Sequence, residues 1–227
     1  MCGRINVSDH KGVQALLDRL GISLNPAGFQ PRYNIAPGAE LAVVFQSGTS
    51  ELAQMEWGVV PPWARPGKFD RPLINARAET IWDKPSFRGL IKSTRAVIPV
   101  TGFYEWKRAG SRKQPYYFSG RTGEALPIAG VYQVSKDGVM QCCIVTTAAN
   151  GTMAPVHDRM PVVLAPESMA AWIGDSDRDR VDALMCPAPD DRLQAVAVSS
   201  YVNNARHEGP QCMAPDAGDL LQGEQEE

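Results

Sequence analysis

The chain has 227 residues, 44% of them hydrophobic and 21% charged, which suits a soluble globular protein with a substantial core. Its formal charge of −2 is unevenly spread: the tail 215–227 holds Asp216, Asp219, Glu224, Glu226 and Glu227 with no Lys or Arg, so the body keeps 23 basic against 20 acidic residues, or +3. That balance argues against a broad nonspecific DNA binder while allowing a local phosphate site, and no apolar run is long enough to span a membrane.

The chain begins Met1-Cys2-Gly3-Arg4 with no basic-then-apolar secretory pattern. Cys2 is small enough for an aminopeptidase to remove Met1 before it. Cys2 would then carry an α-amine and a thiol two carbons apart. Such an aminothiol condenses with an aldehyde to an imine, and the thiol closes on the imine carbon to give a thiazolidine, helped by the proximity of the two groups. The alternative is a buried cysteine acting as a small hydrophobe.

A strand-like start at Arg4–Val7 leads to a helix expected from a Ser8 cap to about Leu20, with Val13, Leu16, Leu17 and Leu20 on one face. Tyr33–Gly38 reads as an ordered loop, Leu41–Phe45 and Leu52–Trp57 as strands turning near Gly48, and Pro61–Gly67 as irregular. Leu73–Thr80 has no clean period, and a short helix is expected over Pro85–Ile91. Strand candidates follow at Ala96–Val100, Phe103–Lys107, Tyr116–Ser119, Ile128–Tyr132, Met140–Thr147 and Pro161–Leu164. Helices are expected from Pro166 to Trp172 and from Arg178 to Met185, then a strand at Leu193–Ser199. These elements predict an α+β fold: a single domain, residues 1–214, with a curved, mainly antiparallel or mixed, barrel-like β-sheet core and a few peripheral helices. Residues 215–227 read as an acidic, disordered tail.

Five cysteines, including the adjacent Cys142-Cys143, form no disulfide framework, and a reducing cytoplasmic setting is expected. Cys142 and Cys143 should point to opposite faces of a strand. Without a C-x-x-C pair, and with His10, His157 and His207 scattered, neither a metal site nor a cofactor is expected.

Three segments look chemical. Glu105 sits between Tyr104 and Trp106; it either alternates outward to solvent or faces a pocket whose aromatic shell would raise its pKa and suit it to proton transfer. His157 precedes the apolar strand at Pro161, where a functional or a structural histidine would fit. Asn75 and Arg77 share a face if extended, pairing a positioning amide with a phosphate-type ligand; a buried Asn beside a surface Arg is the alternative.

Taken in order, MCGR, RYNIAPG, WGVVPPWA, LINARAET, GFYEW and HDRMPVVL, with the late VSSYVNNAR, resemble the SOS response-associated peptidase family over nearly the whole body. The resemblance implies crosslinking to abasic sites in single-stranded DNA, with Cys2 as the crosslinking residue and Asn75, Glu105 and His157 as the other active-site positions. It places Arg4, Arg77 and Arg159 where DNA-backbone contacts are expected. Trp63, Tyr104 and Trp106 are the aromatic candidates for stacking on bases. The run after Trp63 (Ala64-Arg65-Pro66-Gly67-Lys68-Phe69) is less aromatic than the family's, which leaves the base wedge open among the three. No membrane association is expected, and the protein should be a monomer, cytoplasmic and nucleoid-associated if bacterial. Two rival functions stand beside capture: a non-covalent reader of single-stranded or modified DNA, and a cysteine (auto)peptidase pairing Cys2 with His157.

Overall fold

Leu41, Val43, Val44 and Phe45 form an apolar strand, and Gly48 supplies the left-handed turn (φ +83°) that lets the chain double back on itself. The resulting hairpin is the start of the larger of two sheets. The computed structural model describes residues 2–64, 71–110 and 112–216. In chain order its elements are β1 (Ile5–Val7), α1 (His10–Asp18), β2 (Arg32–Ile35), β3 (Glu40–Ser47), β4 (Thr49–Trp57), β5 (Asn75–Arg77) and α2 (Leu90–Ser93). They continue with β6 (Arg95–Val100), β7 (Gly102–Ala109), β8 (Arg112–Gly120), β9 (Leu126–Val134) and β10 (Met140–Ala148). The last are β11 (Arg159–Pro161), α3 (Met169–Gly174), α4 (Arg178–Leu184) and β12 (Leu193–Ala197).

Among the described residues the strands form two sheets of one domain. The smaller is antiparallel, in the order β12-β8-β7-β1-β2. The larger runs β11-β10-β4-β3-β6-β9, and β9 pairs back on β10, so five strands close into a ring. Parallel pairings of β10 with β4 and β5 make this sheet mixed. β10 is central because each of its edges is used twice, first by β4 and β9 and then by β5 and β11.

The apolar pattern sorts into three layers. Ile5, Phe103 and Phe118 of the small sheet meet Val43, Ile98 and Ile144 of the ring in one cluster. Outside the ring, Leu16 and Leu17 of α1 and Trp172 of α3 cover Val44, Val97 and Val145. On the outer face of the small sheet, Tyr104 packs against Val198, Val202 and Cys212. Cys142 joins the first cluster and Cys143 the second, as strand alternation requires.

Several local expectations are corrected. Asp9, not Ser8, caps α1: its carboxylate accepts from the amides of Lys11 and Gly12 at 3.0 Å each. Ser8 is still held to the sheet, its amide donating to Thr101 Oγ1 at 3.0 Å and its hydroxyl to Asn6 Oδ1 at 2.6 Å. α1 stops at Asp18, short of Leu20. The segment read as a loop at Tyr33–Gly38 opens as strand β2, because Ile5 and Val7 offer it a pairing edge. The helix expected over Pro85–Ile91 forms only at Leu90–Ser93 after a run of turns, and Pro166 opens a 3-10 turn (Pro166–Ser168) rather than α3 itself. The strand expected at Pro161–Leu164 begins and ends earlier, at Arg159–Pro161, with Val163 bridging Ile128. Of Pro61–Gly67, residues 61–64 form a turn and the rest lies outside the described residues; so does the tail beyond Asp216, whose amide donates to Ala197 O at 3.0 Å.

The buried Arg95 ties the helices to the ring. Its guanidinium donates to the carbonyls of Ile91 (2.6 Å), Trp172 and Asp175. Arg95→Met removes the donor of these carbonyls and of Lys92 O, and a loss of about 3 kcal/mol is expected, or about 6–12 °C in Tm by calorimetry.

Candidate functional site at the seam of the two sheets

β1 is short, yet the chain before it keeps alongside β7. The Tyr104 amide donates to Arg4 O at 2.9 Å, so Cys2-Gly3-Arg4 lies beside Tyr104-Glu105-Trp106. From the other sheet, β5 presents Asn75, whose Nδ2 donates to Cys2 O at 2.9 Å. One hydrogen bond therefore bridges the sheets at Cys2. Asn75 and Arg77 share a face of β5, with Ala76 turned inward and fully buried between them, as the sequence suggested. Asn75 Oδ1 is buried and, among the described residues, has no hydrogen-bond partner.

Cys2 is fully buried. Burial pushes its thiol far above the ordinary cysteine value, and the charge of Glu105 pushes it in the same direction; a hydrogen bond from the Arg4 backbone pulls weakly the other way. Burial thus favours the thiol over the thiolate. Glu105, also buried, lines a cleft of about 560 Å³ together with Arg4, Trp106, Arg108, Lys113, His157 and Asn203. A second cavity, about 330 Å³ and mostly apolar, lies under α1 and contains none of the residues named for chemistry. The cleft is the place where Glu105 and His157 meet.

His157 stands on the turn before β11. Its Nδ1 accepts the Arg159 amide at 2.9 Å, so the neutral ring carries its proton on Nε2. Asp158 Oδ1 lies 2.9 Å from the same Nδ1, a contact that becomes attractive only when the ring is protonated. While Nδ1 accepts that amide it has no proton to give Asp158, since one lone pair cannot accept and donate at once.

Arg4 is part-buried and held. Nη1 donates to Asn34 Oδ1 at 2.6 Å and to Val202 O at 2.9 Å, and the guanidinium lies 5.5 Å from the centre of the Trp106 ring. Burial lowers its proton affinity, but an arginine in a protein stays cationic. Trp106 in turn donates from Nε1 to Asn203 Oδ1 at 2.6 Å.

The other expected contacts lie off the cleft. Arg77 is exposed on β5. Arg159 forms a two-pronged pair with Glu79 (2.6 and 2.9 Å) and donates to Thr146 O at 2.8 Å, which holds the Glu79 carboxyl below its usual value. Its fork is thus already engaged by a carboxylate. Trp63, on the turn after β4, is 57% exposed and offers a broad face. Tyr104 must be withdrawn as a stacking candidate. It is fully buried under the closing segment, and its hydroxyl donates to Tyr33 O at 2.8 Å. Among the described residues, no three His, Cys, Asp or Glu side chains converge as a metal site would need.

Sequence reasoning missed Asn34. Its Nδ2 donates to the carbonyls of Asn204 (3.0 Å), His207 (2.8 Å) and Val202 (3.3 Å), while its Oδ1 holds Arg4. Glu208 completes the tie by accepting from the amides of Tyr33 (2.8 Å) and Asn34 (3.3 Å). The only signal in the sequence was an asparagine between Tyr33 and Ile35 where a strand would alternate. Asn34→Ala should cost about 2–3 kcal/mol of stability, read as a lower urea midpoint, as buried carbonyls lose their donor. It should also raise proteolytic sensitivity first within residues 199–213.

A family model described as SOS response associated peptidase matches residues 1–205. A Bacillus subtilis protein named abasic site processing protein YoaM is 36% identical over 217 residues, covering 91% of this chain and 95% of its own. The Escherichia coli protein named abasic site processing protein YedK is 31% identical over 193 residues, covering 81% and 84%. A solved structure from Bacteroides thetaiotaomicron superposes with a TM-score of 0.82 over 95% of this chain and all of its own, at 23% identity, a likeness of fold.

Proposed function

The chain belongs to the SOS response associated peptidase family, and on that footing we propose that it processes abasic sites in single-stranded DNA by capturing them covalently at Cys2 once Met1 is removed. The reading rests on one observation above all: Asn75 anchors the Cys2 carbonyl at 2.9 Å, which holds Cys2, buried beneath the cleft lining, within electrostatic reach of Glu105. Relatives named abasic site processing proteins support the choice of target.

An abasic deoxyribose opens to an aldehyde. The free α-amine of Cys2, with an ordinary pKa of about 7.7–8.0, attacks that carbon, and the carbinolamine loses water to give an imine. The thiol then adds across the C=N bond, sulfur to carbon and a proton to nitrogen. The sum is amine plus thiol plus aldehyde giving a thiazolidine and one water. Glu105 is placed to ferry protons from sulfur and nitrogen to the departing oxygen, and His157 to donate from Nε2 to the sugar oxygen. Asn75 orients the backbone of the nucleophile without titrating. Arg4 and Arg77 supply positive charge near the strand, with Trp106 and Trp63 as stacking faces, while Arg159 is occupied by Glu79. A raised thiol pKa suits a sequence in which the amine acts first; it counts against a peptidase that needs a resting thiolate–imidazolium pair.

The test is intact mass under denaturing conditions after mixing the Met1-free protein with single-stranded DNA carrying one abasic site. The expected species has the mass of protein plus DNA minus one water and is missing with undamaged DNA. If binding is seen in solution but no such mass survives denaturation, the protein is a non-covalent reader.

A further inference from the structure

The hairpin β7–β8 runs outward from the cleft and carries Lys107, Arg108, Arg112 and Lys113 around its turn with no acidic residue between them. All four are exposed. Its register sets Arg108 directly across from Lys113, and both line the cleft that holds Glu105 and His157. Two like charges on facing positions of an antiparallel pair lie about 4.5–5.5 Å apart at Cβ and destabilise the hairpin. Elsewhere the chain neutralises such arginines: Arg159 has Glu79, Arg178 has Asp182, and Arg192 has Glu124. Among the described residues neither Arg108 nor Lys113 forms an ion pair.

Strand alternation adds a second observation. Trp106 and Arg108 are two residues apart and share a face, with Pro115 and Lys113 as their cross-strand neighbours. That face presents a flat aromatic surface already topped by Arg4, then two cations about 7 Å farther along the strand. Aromatic surface followed by paired cations is the pattern that suits a stacked base and its flanking phosphates. A carboxylate-bearing peptide would gain from the cations but not from the ring.

We propose that Arg108 and Lys113 form a phosphate clamp that grips the DNA strand flanking the captured site, so that the β7–β8 hairpin is a binding arm. The inference rests on the reading of the cleft as an abasic-site pocket. The clamp binds and does not react: it adds counterion release to affinity and leaves the covalent step to Cys2 and Glu105.

The experiment compares the parent with Arg108→Gln/Lys113→Gln. Affinity is measured by anisotropy on a single strand carrying a stable abasic analogue that lacks the aldehyde, between about 50 and 200 mM salt. Losing two phosphate contacts should flatten the log–log salt slope by about 1.4 and weaken binding about 20-fold near 0.1 M salt. A companion variant, Arg108→Glu, creates an opposite-charge pair with Lys113; it should keep or raise Tm while weakening DNA binding. A double variant whose salt slope equals that of a parent that captures abasic DNA overturns the clamp alone. A fall in Tm of Arg108→Glu that tracks its loss of affinity also overturns it, because the hairpin charges would then be structural. A parent that neither binds nor captures abasic DNA overturns the underlying reading as well.

Discussion

Cys2→Ala abolishes the denaturation-stable adduct with abasic single-stranded DNA, while its affinity for an aldehyde-free abasic analogue stays within about twofold of the parent. The argument is one of atoms. Alanine keeps the small residue that permits removal of Met1 and keeps the α-amine, but takes away the only atom that can close the five-membered ring. What remains is an open imine, which water reverses. Borohydride reduction should therefore trap an adduct with the Cys2→Ala protein that simple denaturation does not reveal, at a yield far below that of the parent thiazolidine. An adduct from Cys2→Ala that survives denaturation without reduction would assign the nucleophile elsewhere. Blocking the amine with an uncleaved N-terminal extension gives the complementary result, with neither species formed. Because Cys2 packs in the central cluster beside Ile5 and Phe103, the substitution also costs about 1 kcal/mol of stability, too little to unfold the protein at the temperature of the assay.

Glu105→Gln is the second large effect. The substitution is nearly isosteric at a buried position, so the cleft keeps its shape, yet the group that moves protons among nitrogen, sulfur and the departing oxygen is gone. Removing a positioned general acid–base lowers a rate by about 10²–10⁴. Single-turnover adduct formation should fall by that factor with Kd for the analogue within about twofold. The same factor should appear in release of the DNA from a preformed adduct, since the forward and reverse steps cross the same proton transfers. Unchanged rates in both directions would reduce Glu105 to a structural carboxylate.

How far the sequence could be read depended on where each contact's energy comes from. The hairpin around Gly48 and the apolar runs of β6, β9 and β10 were legible because their burial pattern is local. β2 was not, since Arg32-Tyr33-Asn34-Ile35 looks polar and owes its pairing to β1, nearly 30 residues earlier. Tyr104 was misjudged for a related reason. The layer that covers it is drawn from residues 198–212, a stretch with few apolar side chains that reads as a polar loop. In the site, Cys2, Asn75, Glu105 and His157 were named as a set only through the order of the motifs; no spacing shows that Asn75 reaches Cys2. The Arg159–Glu79 pair, 80 residues apart, was invisible, and so the arginine looked available. The facing Arg108 and Lys113 needed the hairpin register before their conflict could be seen.

The bond from Arg4 to Val202 O joins positions 198 residues apart, and Asn34 fastens the same late segment. Synthesis separates these parts in time. Cys2 leaves the ribosome first, while the residues that seat Arg4 and Trp106 leave near the end. Contacts of such long sequence separation are slow to form. On the proposed chemistry, a nascent chain freed of Met1 therefore carries its aminothiol before the segment that seats Arg4 and Trp106 has been made.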